Sequence, residues 1–186
     1  PYGFVPKTEF EKVTWDVLKN KYFQQATEIF LRALKGEKFS SQDVEPGVLE
    51  RTDFRPGPPG DEAWSRAQKA AGTGAEKIPL TRHWEFPKVG VIPFDTSLKN
   101  LRLTIGSHDP QTQILANSIL PVGVFNLSIT PPAVIEDTHK RMATAYHPDG
   151  GKWQRRLMPR TVMLFLEDDA GLSDQQKSER ARGVAK

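Results

Sequence analysis

The stretch Ile135-Glu136-Asp137-Thr138-His139-Lys140-Arg141-Met142-Ala143-Thr144-Ala145-Tyr146-His147-Pro148-Asp149-Gly150-Gly151 decides how this 186-residue chain is read. Ile135, His139, Met142 and Tyr146 return at steps of four, three and four, which puts them on one stripe of a helix. Thr130 is placed to cap that helix and Pro131 to fill its first position. Lys140, Arg141 and Thr144 fall off the stripe or at its margin. Pro148 cannot continue a helix and biases His147 away from helical angles, so His147-Pro148-Asp149 belongs to the loop that follows. A helix ending in a stiff polar tripeptide is a device for presenting groups to a partner.

Toward the N-terminus, Thr8 and Glu11 make a capping box. Beyond it Phe10, Val13, Val17, Tyr22, Ala26, Ile29 and Ala33 recur at helical spacing as far as Gly36. This predicts an amphipathic helix of roughly seven turns. Phe23, Leu31 and Leu34 widen its apolar arc enough for burial on two sides. Residues 36–60 end in Arg55-Pro56-Gly57-Pro58-Pro59-Gly60 and predict an extended linker or strap. Asp61 is placed to cap a short helix that Gly72 closes. From Thr81 to Pro93, apolar residues that include Trp84, Val91 and Ile92 are punctuated by prolines and a glycine, which suits extended packing. Leu101, Leu103 and Ile105 alternate with Arg102 and Thr104 as a brief half-buried strand. Asp109-Pro110 opens a helix through Leu120, with Ile114, Leu115, Ser118 and Ile119 on one face. The polar stretch from Ser173 predicts a frayed end. Four segments result: the N-terminal helix at 1–35, the strap at 36–60, a mixed helical and extended segment at 61–122, and a helical unit at 123–183.

Composition narrows the chemistry. With no cysteine there is no disulfide framework, thiolate nucleophile or sulfur ligand. An excess of 26 basic over 23 acidic side chains is small for a dedicated nucleic-acid binder. No apolar run reaches the length of a membrane span. His83, His108, His139 and His147 never pair at a metal-ligand spacing. The run Glu167-Asp168-Asp169 has no second carboxylate motif to share a cation with. Gly72-Thr73-Gly74 lacks the flanking strand and lysine of a phosphate loop, and no nucleophile elbow is present. The expectation is an intracellular, non-enzymatic interaction protein with no catalytic residues, no metal and no cofactor. The chain opens on Pro1 rather than Met, which fits either a processed or a trimmed product; the expectation drawn from the first is import into an organelle, with the mitochondrial matrix as the compartment.

In these residues the chain resembles the J-domain (DnaJ-type) co-chaperone family, whose mark is a His-Pro-Asp loop between two antiparallel helices. Ile135 stands where the family has its first core aliphatic residue, His139 where it has a tyrosine, Met142-Ala143 where it has Leu-Ala, and Tyr146 at the aromatic before the loop. Leu172-Ser173-Asp174-Gln175-Gln176-Lys177 looks like the family's C-terminal ending, and Phe125 to Ile129 loosely resembles its first short helix. The resemblance covers residues 125–183 and implies that His147, Pro148 and Asp149 engage an Hsp70 ATPase domain, with Lys140 and Arg141 facing an acidic patch on it. The sequence departs from the pattern at Glu136 and Asp137, which replace cations, and at Pro159, which interrupts the return helix.

A second candidate surface is basic. Lys152, Arg155, Arg156 and Arg160 surround Trp153, a combination able to contact RNA or another polyanion through arginine forks and a stacked indole. The fold expected is mainly α: a long N-terminal amphipathic helix, extended Pro/Gly-rich connections and a degenerate J-like helical hairpin at the C-terminal end. The expected partners are an Hsp70-type chaperone, which the protein would recruit and stimulate, or the subunits of a large mitochondrial or ribonucleoprotein assembly in which the hairpin serves only for docking.

Overall fold

The computed structural model of the chain describes residues 5–91, 97, 100–162, 164 and 169–184. It is predominantly α-helical, with two small two-stranded sheets. Ile92, Pro93, Glu167 and Asp168, singled out in the sequence, lie outside the described residues.

Helix α1 (Glu9–Leu34) packs against both the Pro58–Ala71 and the Pro110–Ile119 helices. Thr8 caps it as the sequence predicts: the Glu11 N–H donates to Thr8 Oγ1 at 3.1 Å, and the Thr8 N–H donates back to Glu11 Oε2. The wide apolar arc is accounted for by three cores along its length. One contains Leu18 and Tyr22 with Leu49, Phe54, Trp64, Ala67 and Ile78. A second contains Leu31 with Ile105, Ala116, Val122, Val124, Met142 and Trp153. A small third contains Ala33 with Phe39 and Val44.

Residues 36–60 are not a linker. They carry strand β1 (Val48–Glu50), which pairs antiparallel with β2 (Lys77–Pro79), and they bury Leu49 and Phe54. The prolines that argued for a strap open helix α2 (Pro58–Ala71), which starts three residues before the expected Asp61. A proline in the first turn gives up no hydrogen bond, because the first amides of a helix have no carbonyl to reach. Gly57 at φ 82° makes the entry, and Asp61 pairs with Arg51 at 2.6 Å.

Strand β3 (Leu103–Ile105) runs parallel to β4 (Val122–Val124), and helix α3 (Pro110–Ile119) crosses between them. A further bridge, Asn126 to Arg160, extends the sheet by a third extended segment. Helix α4 (Pro132–Ala145) follows. Thr130 is not its cap: Pro131 holds that position at ψ 141°, because Pro132 keeps the residue before it out of helical angles. The Thr130 hydroxyl instead accepts from the Leu127 N–H at 3.0 Å. At the far end α5 (Asp174–Val184) is an exposed helix where a frayed tail was expected.

Candidate functional site

Helix α4 presents the His-Pro-Asp turn, and its own inner face is more polar than the stripe suggested. Met142 and Thr138 are fully buried, while Ile135 and His139 sit at the margin. The facing side of α3 is likewise polar: Thr112, Gln113, Ala116 and Asn117 are buried, and the predicted Ile114 is 46% exposed. Arg141, expected to face a partner's acidic patch, is turned into this seam. Its guanidinium donates to Gln113 Oε1 at 2.7 Å and to Thr138 Oγ1 at 3.2 Å. Lys140 remains exposed.

The turn itself is fastened to the body. His147 is extended at ψ 132°, as the following proline requires, and caps a single 3-10 turn over Pro148–Gly150. The His147 N–H donates to Asn117 Oδ1 at 3.4 Å, and the His147 ring accepts from the Asp149 N–H at 3.2 Å. The imidazole is only 14% exposed, while the Asp149 carboxylate is 80% exposed. The tip therefore offers Pro148 and Asp149 to a partner and keeps the histidine ring for its own backbone.

After the turn the chain comes back along α4 without forming a helix there. Trp153 drops into the core beside Tyr146 at 5.1 Å between ring centroids, and its Nε1–H donates to His139 Nδ1 at 2.8 Å. One 3-10 turn, Arg155–Leu157, follows, and Pro159 delivers the chain to the sheet edge at Arg160. Pro159 sets this return, because a proline cannot sit inside a regular helix without losing a backbone hydrogen bond.

The basic patch is dispersed by the same geometry. Trp153 has no face left for stacking on a base. Arg155 donates to Glu136 at 2.5 Å, a hydrogen bond that lowers the Glu136 pKa below the ordinary range, and Arg160 donates to the Ser128 carbonyl at 2.5 Å. Lys152 and Arg156 line a different cleft, which Arg102 joins from the residue before β3. Asn117 and Arg102 carry weight here that a search for apolar stripes does not find. The one sequence signal was that Gln113 and Asn117 share a helix face with Ala116.

Among the described residues no group of three or more histidines and carboxylates is close enough to hold a metal ion, and no helix is long and apolar enough to cross a membrane. The contacts of this chain stand alone as evidence for its role, since comparison with family models, curated proteins and solved structures yields no match.

Proposed function

We propose that this chain is a non-catalytic docking subunit that adds its C-terminal sheet edge to an extended strand of a partner protein within a larger assembly. The observation that carries the reading is an apolar strip along that edge. Leu127 and Ile129 follow β4, and Val162 and Leu164 follow the segment bridged to it; these four are 50%, 80%, 70% and 82% exposed. Among the described residues no second strand or bridge pairs with 160–162 beyond the one to Asn126. An apolar, unpaired edge exposed in this way invites strand addition or aggregation, and a protein that keeps one normally covers it.

The test is the native size of the tagged chain in extracts of the cells it comes from. Docking predicts a stoichiometric complex several times the mass of the free chain, from which Val162→Asp/Leu164→Asp is released. A wild-type chain that sediments as a monomer would reject the proposal, as would a complex that contains only copies of itself.

The Hsp70 reading is kept as a second one on a single observation, the exposed Pro148-Asp149 tip with Lys140 on the helix behind it. It predicts that the protein accelerates Hsp70 ATP hydrolysis and that Asp149→Asn abolishes the effect. An ATPase rate indifferent to the protein would remove it and leave docking as the sole function.

A further inference from the structure

The cleft beside the His-Pro-Asp turn has a chemistry that the docking edge does not use. It encloses about 450 Å³ between β3, the start of β4 and the return segment, within the usual range for a small-molecule site. Three cations converge on it from separate parts of the chain: Arg102 on the approach to β3, Lys152 after the turn, and Arg156 on the return. Among the described residues neither Arg102 nor Lys152 has an ion pair, and Arg156 is held only by Gln154, at 2.7 Å through Nε. Asp149, also at the rim, is the one carboxylate among the described residues that line it.

The wall is half apolar, from Leu103, Pro121, Leu157 and Pro159, and Tyr146 forms one side. The Tyr146 hydroxyl has no protein partner among the described residues. Burial raises its pKa and the nearby Arg102 and Arg156 charges pull it down, so both guanidinium groups act on the position of that hydroxyl. Gly150 lies against the Tyr146 ring, where a Cβ would stand 2.5 Å from it.

We infer that this cleft binds a compact polyanion, the di- or triphosphate group of a small molecule, with Arg102, Arg156 and Lys152 around the phosphates and the Tyr146 hydroxyl donating to them. Guanidinium groups suit phosphate because they donate in pairs in one plane. The small volume and the buried Trp153 favour a small ligand over an RNA strand, which needs a long groove and stacking faces.

The probe is sodium tripolyphosphate, titrated into the isotope-labelled full chain while amide resonances are followed. Saturable shifts are expected at Leu103, Gly123, Tyr146 and Gly150. Arg102→Gln/Arg156→Gln should weaken binding about tenfold or more, because two charge-assisted hydrogen bonds are lost. Arg155→Gln/Arg160→Gln should change it by less than about twofold, because those exposed side chains already serve other partners. All four arginines are at the surface, and the amide spectrum of each variant reports directly that it folds. The inference is overturned if millimolar tripolyphosphate leaves the cleft amides unmoved, or if both double variants weaken binding equally. It is also overturned if a short single-stranded RNA binds the same residues more tightly than tripolyphosphate does.

Discussion

Replacing Asn117 with alanine tests how the His-Pro-Asp turn is held. The Asn117 side chain is 3% exposed and joins three elements. Its Nδ2 donates to the Gln113 carbonyl at 3.1 Å and to the Val122 carbonyl at 3.0 Å. Its Oδ1 accepts from the Val122 N–H at 3.1 Å and from the His147 N–H at 3.4 Å. Val122 is itself 2% exposed, so water cannot replace what its amide loses. An orphaned buried donor costs about 1–3 kcal/mol, and each remaining bond adds about 1 kcal/mol or less. A loss of about 3 kcal/mol follows, or about 6–12 °C in Tm for a chain of this size. Urea unfolding followed by circular dichroism measures the loss, and amide exchange locates it at Val122 and His147. Asn117→Asp keeps the acceptor, removes both donations and buries a charge, so it should cost at least as much. A loss below about 1 kcal/mol for Asn117→Ala would refute the idea that this amide braces the turn.

Trp153→Ala should cost about 3–5 kcal/mol in the same assay, since it empties a core site and strips His139 of its donor. Trp153→Phe should restore part of the packing without the hydrogen bond and fall between the two. Gly123→Ala brings a Cβ to 2.4 Å from the Leu157 carbonyl oxygen, so it should displace the return segment and cost about 1–3 kcal/mol; an unchanged urea midpoint would contradict that contact. Burial works to raise the pKa of Asp109, but hydrogen bonds from the Thr112 and Gln24 side chains and the Thr112 and Gln111 amides outweigh it and hold the pKa below the ordinary value. Asp109 therefore stabilises the fold above its unfolded-state pKa, and that contribution fades as pH falls through the lower, folded-state pKa. Asp109→Asn should flatten the acid limb of the stability profile, and an unaltered limb would dissociate Asp109 from acid unfolding.

The helices whose ends carry local chemistry were legible in the sequence. Thr8 with Glu11 and Asp109 with Pro110 act within one turn of themselves, so α1 and α3 begin where those residues say. Positions set by distant partners were not legible. The Pro58-Pro59 pair reads equally as a linker or as a helix start, and only packing of Trp64 against Leu49 and Phe54 decides for the helix. Arg141 lies at the margin of its apolar stripe, and nothing local announces that Gln113, 28 residues away, will turn it inward. Trp153 amid arginines looks like a stacking residue until His139 and Tyr146 are seen to bury it.

Photocrosslinking tests the docking claim most directly. A crosslinking residue placed at Ile129, Val162 or Leu164 in the native cell samples the apolar strip, and one at the exposed Val5, far away in sequence, serves as the control. The account predicts one discrete adduct with a different protein, common to the three strip positions and missing from the control. An unreacted chain, or a scatter of adducts matching the control, would contradict it.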